Sequence, residues 1–271
     1  MSHTIDLNAY GQRIGYHGPL APDITTLRAI ATAHVAAIPF ENLDPLLGVP
    51  VSLELEALQC KLVQQGRGGY CFEQNHLLLA VLRAIGFEVS GLIARVVWMQ
   101  PEETIAPQTH MLLRVELGGE SWLVDVGFGS MALGGALRLQ PQREQATAHE
   151  PFRLLSDGAN WRMQAQVRGE WHTLYHFDLQ PHPPIDYVVA NHYTSTYPGS
   201  HFTQGLIAAR TLPDRRIGLR NREFVEHPLG GESVRRTLRD GVEVRQVLQE
   251  AFGIRLPAHP ELDRKLDALP A

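Results

Sequence analysis

The chain has 271 residues, 44% of them hydrophobic and 20% charged, and its 24 basic and 29 acidic side chains give a formal net charge of −5. This composition is typical of a globular protein, and the length is enough to bury a core without disulfides or structural metal ions. A mildly acidic chain without a block of basic residues lacks the positive surface that binds phosphate backbones, so we exclude DNA and RNA as partners.

The sequence has no feature of a membrane or secreted protein. No stretch approaches the roughly 18 to 20 consecutive apolar residues of a membrane-spanning helix, and residues 1–6 lack the basic and apolar regions of a signal peptide. We therefore expect a cytoplasmic protein without membrane contact. Two cysteines, Cys60 and Cys71, cannot form a disulfide framework, and no Cys or His residues have the spacing of metal ligands.

Residues 1–86 are predicted to form a helical bundle. Apolar positions recur with a period near 3.6 over residues 25–38, and a second pattern of this kind covers residues 52–63. Residues 71–85 are apolar on most of the helix circumference, which predicts a buried helix, and Gly86 follows at the position of a C-terminal cap.

Residues 87–185 are predicted to form an antiparallel β-barrel. The segment is rich in Val and Ile, and three short glycine-containing turns separate its β-like runs, at 118–119, 157–158 and 168–169. Residues 186–271 then mix short strands with two helices near 242–252 and 260–269, so the fold class predicted for the whole chain is α+β.

Cys71 is the stronger of the two candidate nucleophiles. It lies in the first turn of a predicted helix, where the helix dipole and free N–H groups favour a thiolate. The preceding residues, 67–70, include two glycines that let a substrate approach closely. Cys60 has neither feature. A cysteine at such a position is also often a small core residue, so a nearby base is needed to distinguish the two interpretations.

His110 and Asp125 are the best candidates for that base and its partner. His110 stands between a proline-containing loop and a strand, at a point where a rigid element can hold its ring. Asp125 is an acid inside an otherwise apolar strand, and a buried carboxylate is costly unless it is paired. Antiparallel pairing across the turn at 118–119 brings the two residues near each other.

Four local sequence blocks resemble one known family, the arylamine N-acetyltransferases of bacterial type. The Arg-Gly-Gly-Tyr-Cys-Phe-Glu block is the most characteristic, and the order and spacing of all four agree over about residues 25–130. The blocks are Pro39–Asp44, Arg67–Asn75, Thr109–His110 and Asp125–Gly129.

This resemblance implies a Cys71, His110 and Asp125 triad in a core like that of cysteine proteases. It implies a helical domain over 1–86, a β-barrel over 87–185 and an α/β lid over 186–271. The implied reaction is ping-pong: acetyl-CoA acylates the Cys71 thiolate, and an arylamine, arylhydrazine or N-hydroxyarylamine then takes the acetyl group.

The resemblance also implies where the two substrates bind. The sequence has no Walker loop and no basic cluster, so we expect main-chain groups and scattered arginines to hold the nucleotide of acetyl-CoA, a co-substrate rather than a permanently bound cofactor. The implied CoA contacts are Trp98, Thr109, Phe128 and Gly129. The implied walls of the aryl pocket are Phe40, Phe128 and Phe202.

Two other functions remain open at this point. A transglutaminase-like or papain-like thiol hydrolase uses the same chain order of Cys, His and Asp. A non-catalytic relative that only binds acyl-CoA is the second alternative, and it would be expected to lack a member of the triad. The glycine block before Cys71 and the Pro39–Asn42 block favour the transferase. The sequence does not determine the oligomeric state.

Overall fold

A computed structural model describes residues 4–271 and shows a mixed α/β fold in which helices come first and two antiparallel sheets follow. The α-helices are α1 (Leu7–Ile14), α2 (Ile24–Ala37), α3 (Leu43–Leu47), α4 (Leu55–Leu58), α5 (Cys71–Ile85), α6 (Pro184–Thr196), α7 (His201–Gln204), α8 (Gly241–Glu250) and α9 (Leu262–Asp267). The strands are β1 (Phe40–Glu41), β2 (Glu88–Val96), β3 (Gln108–Leu117), β4 (Glu120–Val124), β5 (Leu137–Arg138), β6 (Glu144–Gln145), β7 (Phe152–Ser156), β8 (Trp161–Val167), β9 (Glu170–Phe177), β10 (Ile207–Thr211), β11 (Arg215–Arg220), β12 (Glu223–Pro228) and β13 (Val234–Thr237). Within residues 4–271, none of the helices combines the length and the apolar character needed to cross a bilayer.

Of the three helices predicted in residues 1–86, two follow the predicted pattern closely and one departs from it. The predicted helix over 71–85 is α5, and Gly86 ends it in the left-handed conformation with a φ of 105°. The predicted helix over 25–38 is α2. The helix predicted from Ser52 begins later, at Leu55, because the Ser52 hydroxyl accepts a hydrogen bond from the main chain of Glu54 in a turn instead.

The first sheet has eight antiparallel strands in the order β5-β4-β3-β2-β9-β8-β7-β6 and curls into a nearly closed barrel. All three predicted hairpins are present in it, and the first places Leu117 opposite Glu120. The Gln145 side chain, on one edge strand, exchanges hydrogen bonds of 2.8 and 2.9 Å with the main chain of Arg138 on the other edge. The prediction of an antiparallel, barrel-like sheet is therefore confirmed, and the amide side chain of Gln145 links its two edges.

Successive side chains of β3 face opposite sides of the barrel wall. Met111 and Leu113 are buried against the helical part of the chain, whereas Leu112 packs in the barrel interior. By this alternation His110 lies on the same side as Leu112, at the end of the barrel.

The second sheet has five antiparallel strands in the order β1-β10-β11-β12-β13, and its first strand comes from the helical part of the chain. Phe40 pairs with Ala209. The Asn42 side chain donates to the main-chain oxygens of Phe202 and Gly205 and accepts from the N–H of Ile207. One side chain thus connects the N-terminal helices to the last third of the chain.

The predicted three-part division stays a prediction, but two features bear on where its limits lie. The segment 1–86 supplies a strand to the sheet of the segment 186–271, and α6 already begins at Pro184. The parts are therefore joined by strand pairing as well as by packing.

Arg216 on β11 should be a main connection between the second sheet and the barrel. It is buried, is paired with Glu150, and donates to the main-chain oxygens of Ser130 and Ala132. We expect Arg216→Met to lower the free energy of unfolding by about 3 kcal/mol, because it leaves those acceptors unpaired. The neighbouring Arg215 is half-buried and its ion pairs are with partly exposed carboxylates, so Arg215→Gln should cost less than about 1 kcal/mol. Urea unfolding measures the free energy of unfolding of both variants. Equal losses would contradict the role of Arg216 as a main connection between the second sheet and the barrel.

Candidate active site

The loop before Cys71 is packed against β1 with almost no space between the two backbones. Glu41 N–H donates to Gly69 O over 3.1 Å, and Gly69 N–H donates to Pro39 O over 3.3 Å. A Cβ atom at Gly68 would lie 2.2 Å from Pro39 O, so no larger residue fits there. This glycine serves close packing, which fixes the start of α5 and with it the position of Cys71.

A buried cluster of five charged side chains surrounds this loop. Arg67 is paired with Glu41 and with Asp44 at 2.8 Å. Lys61 joins Asp44 to Glu73, with both distances at 2.6 Å. Glu73 also accepts from the main-chain N–H preceding Cys71 over 3.0 Å. The two most characteristic sequence blocks thus meet here as one network of ion pairs that holds the nucleophile loop.

His110 and Asp125 meet as the sequence predicts. The His110 Nε2–H group donates to Asp125 Oδ2 over 2.7 Å, and the two residues are 2% and 1% exposed. The second carboxylate oxygen accepts from the main-chain N–H of Gly127 over 3.0 Å and from Asn75 Nδ2 over 3.1 Å. The hydroxyl of Tyr175 donates to Oδ2 over 3.0 Å. Four donors therefore converge on one buried carboxylate.

These contacts set the charge of the pair. Burial by itself would raise the pKa of Asp125, but the charge and hydrogen bond of His110, with those of Gly127 and Asn75, hold that pKa below its usual range. Burial also opposes the charged form of His110, yet Asp125 and the hydrogen-bonded Cys71 thiol raise the pKa of His110 to about 10. The pair is therefore ionic at neutral pH.

Cys71 completes the group at the first residue of α5. It is 4% exposed, and its Sγ lies 3.4 Å from the main-chain oxygen of Thr109, the residue that precedes His110. A protonated imidazole beside this sulfur stabilises negative charge on it.

Asn75 and Tyr175 were missed at the sequence level. Asn75 lies one helical turn after Cys71, and its amide also donates to Met111 O over 2.7 Å and accepts from Val126 N–H. Its place in the Arg67–Asn75 block is a signal that could have identified it. Tyr175 carries no such signal, because it stands in an ordinary strand of the barrel.

A cavity of about 530 Å³ opens beside Cys71 and His110. Asp125 does not line it and lies behind the His110 ring. Every residue predicted to contact either substrate lines this cavity: Phe40, Trp98, Thr109, Phe128, Gly129 and Phe202.

Aromatic rings shape the inner end of this cavity. The ring centroids of Phe40 and Phe202 are 6.1 Å apart, and Phe202 also packs on Tyr70 at 5.6 Å. Phe128 meets the His110 ring edge to face at 5.2 Å. The catalytic candidates therefore face an apolar, aromatic slot.

The opposite wall of the cavity was not predicted. It is formed by the second sheet, whose lining residues belong to β10, β11, β12 and β13. Nothing in the local sequence of these strands marks them as cavity walls. In residues 4–271 no group of three or more His, Cys, Asp or Glu side chains has the arrangement of a metal site.

Gly127 should tolerate no side chain. A Cβ atom there would lie 2.6 Å from Cys71 Cα and 2.7 Å from Asn75 Nδ2. We expect Gly127→Ala to lower the free energy of unfolding by about 1 to 3 kcal/mol and to slow alkylation of Cys71 by iodoacetamide. Gly135→Ala, where a Cβ atom meets nothing within 4 Å, is the matched control. An unchanged alkylation rate in Gly127→Ala would show that this contact does not position Cys71.

The stabilisation from His110 should depend on pH. Its pKa is about 10 in the folded protein and about 6.5 in an unfolded chain, so the charged ring stabilises the fold fully below about pH 6.5. That contribution is lost as the pH rises through about 10, because the folded state then gives up the extra proton. Urea unfolding of the wild type and His110→Gln should give a difference that shrinks steadily from pH 6.5 to pH 10. A constant difference would refute the ionic pair.

Comparison with known proteins identifies the relatives of this chain. A family model described as N-acetyltransferase matches residues 23–260. The arylamine N-acetyltransferase of Mycolicibacterium smegmatis is 47% identical over 258 residues, which are 93% of each chain. The arylamine N-acetyltransferase / N-hydroxyarylamine O-acetyltransferase of Salmonella typhimurium is 39% identical over 93% of this chain and 89% of its own.

The fold is matched as well. The solved structure of the Mycobacterium marinum arylamine N-acetyltransferase in complex with CoA superimposes with a TM-score of 0.94, at 41% identity, over 98% of this chain and all of that chain. These matches favour the transferase over the thiol hydrolase. The agreement of sequence and fold over nearly the full length means that the chain belongs to the arylamine N-acetyltransferase family.

Proposed function

We propose that the protein transfers the acetyl group of acetyl-CoA to aromatic amines through an acetyl-Cys71 intermediate. The observation that carries this proposal is the buried, ionic His110–Asp125 pair beside Cys71, at the inner end of an aromatic cavity. A thiolate held by such a pair is a strong nucleophile near neutral pH.

In the first half-reaction the Cys71 sulfur attacks the thioester carbonyl. A bond forms between that sulfur and the acetyl carbon, and the carbon–sulfur bond to CoA breaks. His110 gives its proton to the leaving CoA thiolate, so free CoA departs and the imidazole is left neutral. The main-chain N–H of Cys71, in the first turn of α5 where N–H groups have no acceptor within the helix, stabilises the oxyanion that forms during the attack.

In the second half-reaction a neutral aromatic amine attacks the acetyl-Cys71 carbonyl. His110 takes a proton from the nitrogen, the Cys71 thiolate leaves, and the ionic pair is restored. Aromatic amines suit this role because their low basicity leaves the nitrogen lone pair free at pH 7. Arylhydrazines meet the same requirement, and an N-hydroxyarylamine accepts the acetyl group on its hydroxyl oxygen, from which His110 takes the proton.

Asp125 acts through His110 in both steps. Its carboxylate accepts from Nε2–H, which leaves Nδ1 for the proton exchanged with the substrates, and its charge stabilises the imidazolium. The bonds from Asn75, Gly127 and Tyr175 keep the carboxylate ionised and oriented. We propose Asn75 and Tyr175 as positioning residues for this reason.

The two substrates share one cavity. We propose that Phe40, Phe128 and Phe202 hold the aryl ring, and that Trp98 and Thr109, with the main chain at Phe128 and Gly129, contact the pantetheine arm of acetyl-CoA. Acetyl-CoA is a cytoplasmic metabolite, so we expect the reaction to take place in the cytoplasm.

The proposed core resembles that of cysteine proteases in its construction. A helix start in the segment 1–86 carries the nucleophile. In the segment 87–185, β3 carries the base, and the acid Asp125 directly follows the end of β4 at Val124 rather than lying inside the strand as the sequence predicted. The segment 186–271 covers the cavity as a lid. The three parts contribute to one site, which explains why strand pairing and ion pairs join them.

Acetylation of the enzyme in the absence of an amine tests the mechanism directly. With acetyl-CoA alone, the intact mass of the wild type should rise by one acetyl group, and Cys71→Ala should show no increase. Cys60→Ala is the matched control and should behave as the wild type, because Cys60 has no helix terminus or base beside it. Addition of an aniline or arylhydrazine should discharge the adduct onto the amine.

Two results would contradict the proposal. An adduct that persists in Cys71→Ala would assign the nucleophile elsewhere. An adduct lost as acetate at the same rate with and without the amine would indicate the thiol hydrolase that the sequence left open.

A further inference from the structure

A chain of buried hydrogen bonds crosses the N-terminal helices and ends at the loop before Cys71. The Tyr10 hydroxyl on α1 lies 2.8 Å from His34 Nδ1 on α2, and His34 Nε2 lies 2.6 Å from Gln74 Oε1 on α5. All three side chains are at most 2% exposed. The reaction proposed for Cys71 involves none of them, although Gln74 lies in the first turns of the helix that carries the nucleophile.

The direction of each bond in this chain follows from three carbonyl groups at its end. Gln74 Nε2 donates over 2.9 to 3.3 Å to three main-chain oxygens, those of Ile38, Pro39 and Gly69. An atom bonded to carbonyl oxygens is the amide nitrogen, so Gln74 Oε1 is an acceptor and His34 Nε2–H is its donor. Burial lowers the pKa of His34 to about 4. The ring is therefore neutral at pH 7, and its Nδ1 accepts from the Tyr10 hydroxyl.

The end of this chain holds the peptide unit between Gly69 and Tyr70 at both of its polar groups. The Gly69 oxygen accepts from Gln74 Nε2 over 3.2 Å, and the Tyr70 N–H donates to Glu73 Oε2 over 3.0 Å. The main-chain N–H of Gln74 also donates to the Tyr70 oxygen over 3.0 Å. The next peptide unit carries the Cys71 N–H and is joined to the first at one Cα atom. Side chains of α5 thus fix the direction of that N–H.

We propose that Gln74 is a positioning residue that aims the Cys71 N–H at the oxyanion, and that His34 and Tyr10 hold Gln74 in place for this task. This inference rests on the proposed function, in which that N–H stabilises the oxyanion formed from the thioester. A donor does so only if it points to where the oxyanion forms, at about 2.7 to 3.1 Å. The fixed bond directions of the chain give the Gln74 amide a single orientation, so the loop is set before the substrate binds.

Different contacts hold the sulfur of Cys71. Asn75, the residue after Gln74, is bonded to Asp125 and to the main chain of β3, which ties the body of α5 to the barrel that carries His110. Loss of the Gln74 amide should therefore shift the loop main chain and leave the thiol beside His110. Two reactions of this sulfur separate the effects. Alkylation by iodoacetamide requires the thiolate, whereas acetylation by acetyl-CoA also passes through an oxyanion.

The test measures the second-order rate constants of both reactions at pH 7 in matched variants. Gln74→Met keeps the length of the side chain and removes its amide. His34→Leu breaks the chain in the middle, whereas the amide of His34→Gln can still donate to Gln74 and accept from Tyr10. Gln164→Met on β8 removes another buried amide, which donates to Thr173 in the barrel wall, and serves as the control.

We expect Gln74→Met to lower the rate constant for acetylation by about tenfold, less than the roughly 100- to 1,000-fold loss when an oxyanion donor is itself removed. His34→Leu should show a smaller loss, because Gln74 keeps its carbonyl partners, and His34→Gln should recover the wild-type rate. Alkylation should change less than about twofold in all three variants, since the thiolate is unaffected. Gln164→Met should change neither rate constant.

Other results would overturn the inference. Equal losses in both reactions would mean that Gln74 only supports the fold around the thiol, and unchanged acetylation in Gln74→Met would mean that the Cys71 N–H is aimed without it. If Gln74→Met does not fold, the two His34 variants decide: equal acetylation rates in His34→Leu and His34→Gln would contradict the chain. A wild-type enzyme that iodoacetamide alkylates on Cys71 but acetyl-CoA does not acetylate would instead refute the proposed function, and this inference with it.

Discussion

The buried carboxylate of Asp125 is the group on which the rest of the site depends. A charge removed from water is stable only if hydrogen bonds and an opposite charge replace its hydration. Four donors do so here, and they come from different elements: His110 from β3, Asn75 from α5, Tyr175 from β9, and the Gly127 main chain. Satisfying this one group therefore fixes the helix that carries Cys71 against the barrel that carries the base.

A second buried network holds the nucleophile loop from the other side. Arg67 and Lys61 join three carboxylates around the start of α5, and Gly68 lets the loop approach the main chain at Pro39, beside β1, at contact distance. The same β1 begins the sheet that forms the far wall of the cavity. The geometry of the candidate site and the cavity are thus built on a common segment, Pro39–Asp44, which is one of the four blocks that resemble the family.

Much of the site could be predicted because its determinants are local. The bounds of α5 follow from a helical pattern ended by Gly86, and the meeting of His110 with Asp125 follows from a tight turn that fixes the register of β3 and β4. Tyr175 could not be predicted in the same way. It reaches Asp125 because β9 pairs with β2 across the barrel, and no short-range pattern specifies that pairing.

The sequence by itself determined the candidate nucleophile, its candidate base and acid, the family resemblance and the order of helical and β segments, since each rests on residues close together in the chain. Only the tertiary structure decided what faces them. The pairing of Phe40 with Ala209 brings the second sheet over Cys71, where its strands form the far wall of the cavity. The physical reason is that strand pairing between distant segments is set by the burial of the whole core, whereas a helix start or a hairpin is set by its own few residues.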